Sequence, residues 1–583
     1  MRDSNGRRMR NTASAGAALL AIAAMAGGTG LVAHAQPGAT PACPSDNGGL
    51  SLSPGFCATV FADNLGHVRH LAVSATGTVY ANTWSGAYYV GSPPPPGGFL
   101  IALKDTTGSG HADHATRFGP TPADGAHGGT GVQVFHNFIY AEESDRIVRY
   151  QLAPGTDVPT GRPQAVLTGM PLGGDHPMHP FIIDPKGRLF VDMGTATNAC
   201  QPVPQNRKAG VAGEEPCTQT QTRGGIWLYD ARILGQKFSP AERYATGLRN
   251  GEGLAFDATG RLFATQHGRD QLEQNWASLY PDAAKTVELP SEELVELTKG
   301  GDYGWPRCYY DGFQQKLVLA PEYGGDGGKA VGVCAQKQGP VAAFPAHWGP
   351  NDLAIYNAKA FPAPYQGGAF IAFHGSWNRA PAPQAGYNVV FQPMKDGKAA
   401  GDYIVFADGF AGAQRDPGHA AYRPTGFAIG PDGALYIADD VKGRIWKVTY
   451  HGPADLTQIA PASAPAPGSA PPPPAAAQAA PLPVPPGSSP EQVAAGDRLF
   501  HASGCQGCHG GDAKGTPVGP NLTSGTWLWG DGSQASISDV IAKGVPQPKS
   551  YRSPMPAMGG ANLSKDDLAA VSAYVWAVGH QGK

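Results

Sequence analysis

Asp184-Pro185-Lys186-Gly187-Arg188-Leu189-Phe190 reads as a strand, a turn and a strand in seven residues. Aspartate and proline open the turn, glycine supplies the positive φ it needs, and the returning strand ends in an aromatic ring. The same unit recurs as Ser74-Ala75-Thr76-Gly77-Thr78-Val79-Tyr80, Asp257-Ala258-Thr259-Gly260-Arg261-Leu262-Phe263 and Gly430-Pro431-Asp432-Gly433-Ala434-Leu435-Tyr436. Weaker copies are Phe135-His136-Asn137-Phe138-Ile139-Tyr140 and Tyr365-Gln366-Gly367-Gly368-Ala369-Phe370. An apolar run precedes each copy, as in a hairpin of an antiparallel sheet. Six hairpins spread over residues 70–440 predict an all-β six-bladed β-propeller, one hairpin per blade. A β-sandwich array would hold the strands but would not account for a recurring hairpin. The spacing is widest between Phe263 and Phe370, which predicts long loops there, and loops on a rigid scaffold carry function.

At 583 residues the chain exceeds one core, so further domains are expected. A net charge of -3 leaves no electrostatic footprint for nucleic acid. The 81 glycines and 55 prolines favour short strands and many turns. Residues 1–35 read as a signal peptide: Arg2, Arg7, Arg8 and Arg10 precede an apolar stretch from Ala13 to Ala26, and Ala33-His34-Ala35 fits the cleavage pattern. No later segment is apolar enough to span a bilayer, so a periplasmic or secreted protein is expected. Six of the eight cysteines suit an oxidising compartment. Pairing neighbours gives Cys43–Cys57, Cys200–Cys217 and Cys308–Cys334, one of fifteen connectivities that six cysteines allow.

The other two cysteines lie in Cys505-Gln506-Gly507-Cys508-His509, the attachment sequence for one covalent haem c. Cys505 and Cys508 would form the thioethers, and His509 would be the proximal iron ligand. The surroundings agree: Glu491 to Phe500 reads as a helix, and Ser564-x-x-Asp567 caps another whose Leu568, Val571, Tyr574 and Val575 share a face. Residues 491–583 are therefore expected to form a small all-α cytochrome c domain. Gly519-Pro520-Asn521-Leu522 and Met555-Pro556-Ala557-Met558-Gly559-Gly560 resemble the distal half of class I cytochromes c. That resemblance implies Met555 as the sixth ligand, with Met558 as the alternative. A methionine ligand raises the haem potential and suits electron acceptance. Residues 455–490, rich in proline and alanine, are expected to be a polyproline tether that buries nothing. The remainder, 43–454, would be the propeller.

Three stretches give the large domain a resemblance: Gly247-Leu248-Arg249-Asn250-Gly251-Glu252-Gly253-Leu254-Ala255-Phe256, Lys299-Gly300-Gly301-Asp302-Tyr303-Gly304-Trp305-Pro306, and Gly173-Gly174-Asp175-His176. Their order around the hairpins resembles the soluble quinoprotein glucose/sorbosone dehydrogenases, which bind pyrroloquinoline quinone (PQQ) and calcium on a six-bladed propeller. His374-Gly375-Ser376-Trp377-Asn378-Arg379 and Arg423-Pro424-Thr425-Gly426 resemble the sorbosone dehydrogenase-like branch.

The resemblance implies His176 as general base, suited by an imidazole pKa near working pH. It implies Asp175 as the residue orienting that base or the substrate. Arg249 and Asn250 would meet the quinone edge, and Arg423 and Asp440 would hold PQQ, with Arg379 a further candidate. The family's calcium sits on two backbone carbonyls, which fall on Gly268 and Arg269. Departures are an arginine at 269 where proline is frequent, Thr425 where some members carry arginine, and an insertion from Gln271 to Pro290. Lys104 to Asp113 reads as a polar turn. The implied function is a periplasmic dehydrogenase that oxidises an aldose or related aldehyde with PQQ, passes electrons to the haem and hands them to a downstream cytochrome or respiratory acceptor. The rivals are a lactonase-type propeller, which needs acidic side chains on the axis, and a non-catalytic propeller that docks a redox partner for its haem.

Overall fold

The computed structural model describes residues 43–83, 96–121, 128–379, 382–463, 482–502, 505–510, 513–515, 519–550, 555, 557–560 and 563–581. The signal peptide expected at 1–35 lies outside these residues. Six sheets of four or five strands follow one another, nearly all antiparallel. Blade I contains strands Val68–Val73, Val79–Thr83, Leu100–Lys104 and His114–Phe118. Blades II to V begin at Val132, Phe181, Leu254 and Pro350, and blade VI begins with Pro424–Ile429. The outermost strand of blade VI is Phe56–Ala62, from the other end of the domain, pairing antiparallel with Ile445–Tyr450. Such closure joins the two ends of the ring and leaves only short, protected sheet edges.

All six predicted hairpins lie at the same place, between the first and second strands of a blade. In blade III, for example, Ile183 faces Leu189 and Phe181 faces Val191. The turn glycines Gly77, Gly187, Gly260 and Gly433 have φ of 83°, 82°, 86° and 78°. The aromatic residue ending each hairpin proves to be an interblade wedge. Tyr80 packs between blades I and II, Tyr140 between II and III, and Phe190 between III and IV. Phe263, Phe370 and Tyr436 fill the remaining three seams. Each is at most 3% exposed, so each contributes about 1.5–3 kcal/mol of burial to a seam. The repeat exists because six blades must be cemented in the same way.

The wide spacing after Phe263 is taken up by two excursions from blade IV. Residues 267–291 contain the short helices Leu272–Asn275 and Ala283–Thr286. Residues 298–341 contain the hairpin Cys308–Asp311 with Lys316–Leu319, pinned by Cys308–Cys334. All three neighbour disulfides are present. Residues 455–462 depart from the expected tether: Leu456 and Ile459 pack on the core of blades V and VI, and Ala462 N donates to Val405 O at 2.8 Å. Two apolar side chains suffice to keep this stretch on the propeller.

The C-terminal domain is helical, with helices Pro490–Ala502, Gln534–Lys543 and Lys565–Gly579. The Ser564 capping box forms as read. Helices 490–502 and 565–579 cross closely at Gly496, where a Cβ would lie 1.9 Å from the Ala570 carbonyl oxygen. Val493, Phe500, Val571, Tyr574, Val575 and Val578 form the core. No helix among the described residues is long and apolar enough to cross a membrane.

Candidate active site

The loops at one end of the propeller converge on His176. Its own loop runs beside residues 194–196: His176 N donates to Thr195 O at 3.1 Å and Asp175 N to Ala196 O at 3.0 Å. Gly194 permits this approach, because a Cβ there would stand 2.6 Å from the His176 Cβ. Thr195 N in turn donates to Arg249 O at 2.9 Å, and His267 N to Asn250 O at 3.1 Å. Three blades are thereby stitched around one point.

His176 is buried, and its Nδ1 lies 3.1 Å from Thr195 O and 3.2 Å from Thr195 Oγ1. Burial drives its pKa well below the usual histidine value, with Arg249, His267 and Arg207 adding to the effect and Asp270 opposing it. The imidazole is therefore neutral and competent to take a proton across the physiological range.

Asp175 does not orient this ring. Its Oδ2 accepts from Arg207 Nη2 at 2.9 Å and its Oδ1 from Asn206 Nδ2 at 3.1 Å. The reason is Arg207, in the loop closed by Cys200–Cys217, which bridges Asp175 and Asp270 and claims both carboxylates. Arg249 completes the cluster, with Nη2 donating to Asp270 Oδ2 at 2.6 Å and Nη1 to Gly268 O at 2.8 Å. Burial pushes the Asp270 carboxyl up, but Arg249 and Arg207 outweigh it and hold the group well below the usual carboxylate range.

Several buried polar atoms in this cluster have no partner: Arg249 Nε, Asn250 Oδ1 and Asn378 Oδ1. Arg423 donates only to backbone, Nε to His374 O at 3.0 Å and Nη2 to Gly375 O at 2.9 Å. It forms no ion pair among the described residues. A polar, polyanionic ring system such as PQQ fits these features, since it brings carboxylates to a guanidinium that has no acidic partner and hydrogen-bond partners to orphaned groups. Asp440 and Arg379 are already committed. Asp440 pairs with Arg69 at 2.8 Å and with His374 Nε2 at 2.8 Å. Arg379 pairs with Glu288 and donates to Ala346 O at 2.9 Å, so it anchors a loop.

The two carbonyls assigned to calcium do not fit that ion as arranged. The Gly268 carbonyl already accepts from the Arg249 guanidinium, and a dication there would meet a cation at contact distance. The arginine at 269 has its own explanation. Its side chain is buried, paired with Glu322 and donating through Nε to Asp270 O at 3.2 Å, so it tethers the blade IV excursion. No cluster of three or more acidic, histidine or cysteine side chains suited to a metal occurs among the described residues.

In the helical domain Cys505–His509 forms one helical turn, as the thioether spacing requires. His509 Nδ1 lies 3.0 Å from Pro520 O. A carbonyl only accepts, so Nδ1 carries the proton and Nε2 is the nitrogen available to iron. Met555 bridges Val545 through its backbone and packs against the domain core, whereas Met558 sits in a left-handed turn at φ 57°.

Sequence reading missed Thr195, Arg207 and Asp270. Asp270 directly follows the Gly268 and Arg269 carbonyls singled out for calcium; for Thr195 and Arg207 nothing local distinguishes them from other polar loop residues.

Comparison with known proteins accords with this architecture. The TrAA12-like family profile matches residues 50–451. The chain belongs to the TrAA12-like family. A cytochrome c profile matches residues 493–579. The fold is similar to Trichoderma reesei carbohydrate-active enzymes family AA12 in its iodide structure: TM-score 0.54, 18% identity, 69% of this chain and 98% of that chain covered. It is also similar to the holo form of the pyranose dehydrogenase PQQ domain of Coprinopsis cinerea: TM-score 0.51, 19% identity, 69% and 97% covered. At these identities the likeness is one of fold. A Borreliella burgdorferi protein of uncharacterised role is 26% identical over 220 residues, 37% of this chain and 51% of that protein. The cbb3-type cytochrome c oxidase subunit CcoP of Rubrivivax gelatinosus is 38% identical over 86 residues, 15% of this chain and 26% of that subunit. The chain thus spans about half of the first relative and about a quarter of the second.

Proposed function

We propose that this TrAA12-like propeller is a periplasmic quinohemoprotein dehydrogenase: it oxidises an aldose or related aldehyde of the sorbosone type with PQQ, and electrons leave through the cytochrome c domain to a downstream cytochrome or respiratory acceptor. The observation that carries the reading is a neutral, oriented His176 beside Arg249 and Asn250, both of which hold buried polar atoms without a partner among the described residues. Three disulfides support an oxidising compartment. The Coprinopsis cinerea relative is the PQQ domain of a pyranose dehydrogenase, which supports the same cofactor here.

PQQ, when bound, supplies a two-electron acceptor. Haem c, held by Cys505, Cys508, His509 and Met555, supplies a one-electron acceptor. The protein's part is to bind, orient and move one proton. Arg423 offers an unpaired cation to a carboxylate, while Arg249 and Asn250 present polar groups to the quinone edge. His176 takes the substrate hydroxyl proton at Nε2. Arg207 and Asp175 brace the wall next to His176 through Asp270. No step is derived through calcium, and Asp440 and Arg379 are assigned to supporting the pocket walls.

The test is to load the full chain with PQQ, confirm binding by titration, and follow haem absorbance on adding aldoses and sugar aldehydes. Haem reduction that needs both PQQ and a sugar supports the reading. A PQQ-loaded protein whose haem no sugar reduces overturns it and favours the non-catalytic propeller.

A further inference from the structure

We infer that Thr195 is the positioning residue for His176, fixing its tautomer with Nδ1 protonated and Nε2 bare. The inference deepens the proposed function and rests on it for its kinetic part alone. The geometry leaves one assignment. Thr195 Oγ1 lies 3.0 Å from the Thr197 carbonyl, which only accepts, so the single hydroxyl proton is spent there. The same oxygen, 3.2 Å from His176 Nδ1, can then only accept from the ring. The second neighbour of Nδ1 is the Thr195 carbonyl at 3.1 Å, also an acceptor. Two acceptors on one nitrogen require a proton on it, and a neutral imidazole has one proton. Nε2 is thereby left with its lone pair.

Among the described residues nothing else competes for this role. Asp175, next in sequence, gives its carboxylate to Arg207 and Asn206. Thr195 is fully buried, and its amide is held by Arg249 O, so it cannot turn away from the ring. Its partners to the ring are uncharged. The imidazolium formed after proton uptake is therefore less stabilised than it would be against a carboxylate, and the base stays weak.

The experiment uses the full chain labelled with 15N-histidine, with the His176 signals assigned by difference against His176→Ala. In the unsubstituted protein the His176 shifts should show Nδ1 protonated. Thr195→Ser should keep that signature and keep turnover within about threefold. Thr195→Val retains one acceptor, so turnover should fall about 10–100-fold, part of the general-base contribution, with KM and PQQ affinity held within about threefold. Thr195→Asp, if it folds, should move the acid limb of the pH–rate profile upward by at least one pH unit. Asp175→Asn should leave the tautomer unchanged. Nε2 protonation in the unsubstituted protein, or a Thr195→Val enzyme as fast as Thr195→Ser, overturns the inference. The tautomer is read without turnover, so it can fail while the dehydrogenase reading stands, and the reverse.

Discussion

His176→Ala removes one imidazole from a pocket whose other contacts do not depend on it. Among the described residues the ring bonds only to Thr195, so its loss leaves no buried charge unpaired and the loop keeps its backbone bonds to residues 195 and 196. Loss of a positioned general base costs about 10²–10⁴-fold in turnover, which is about 2.7–5.5 kcal/mol of barrier. PQQ affinity should change by no more than about threefold, because Arg249, Asn250 and Arg423 remain. The depressed pKa adds a second signature. A base whose pKa lies well below 6.5 stays unprotonated as pH falls, so the unsubstituted enzyme should show no acid limb near pH 6.5. The assay is stopped-flow sugar-dependent haem reduction from pH 5 to 8, after fluorescence titration of PQQ into each variant. Turnover within tenfold of the unsubstituted protein would refute the assignment. His179 could not then inherit the role, since its Nδ1 is held by Glu142 at 3.1 Å and its Nε2 by Pro171 O at 3.0 Å. His127, the next histidine to test as base if His176 fails, lies outside the described residues.

Arg269→Met should destabilise the propeller by about 3–5 kcal/mol, because it strands the buried Glu322; denaturant unfolding reads this, and no change in midpoint would contradict the tether. Calcium alone should bind the PQQ-free protein weakly, and Arg249→Ala should tighten it at least tenfold by freeing the Gly268 carbonyl; calorimetry with calcium chloride decides, and equal affinities would remove the conflict inferred here. Stability should fall as pH rises from 6.5 to 8. Burial lowers His70, His347 and His374 to about 4, so these groups favour rising stability between pH 4 and 6.5, where the buried acids oppose them, and contribute nothing further above it. Burial raises Glu293 to about 8 and Asp439 to about 7, so the folded chain holds more protons from about 4.5 to 8 and stability falls as pH climbs past neutrality. A Tm that climbs steadily from pH 6.5 to 8.5 would contradict the buried-acid part, and Glu293→Gln should flatten the alkaline side.

The propeller hairpins and the haem-motif helix were legible in the chain, and a neighbour pairing of the cysteines was legible as one of fifteen connectivities, because each rests on a local requirement. A tight turn needs glycine at a positive φ, a thioether pair needs cysteines one helical turn apart, and a loop of 14 to 26 residues brings its two cysteines together. His176, Arg249 and Arg423 were legible through family resemblance, as positions. Their partners were not. Asp175 was read as the residue orienting its neighbour, yet it serves Arg207, 32 residues away. Residues 455–462 read as tether, yet two apolar side chains meet a core built from blades V and VI. Ring closure decided these things. It sets Arg69 against Asp440, 371 residues apart, and Asn378 against Asp270, 108 apart. Each blade sends a loop to the same end of the axis, so a buried charge there is balanced by whichever blade happens to be opposite. That choice is made by the packing of six seams and is written in no single stretch of chain.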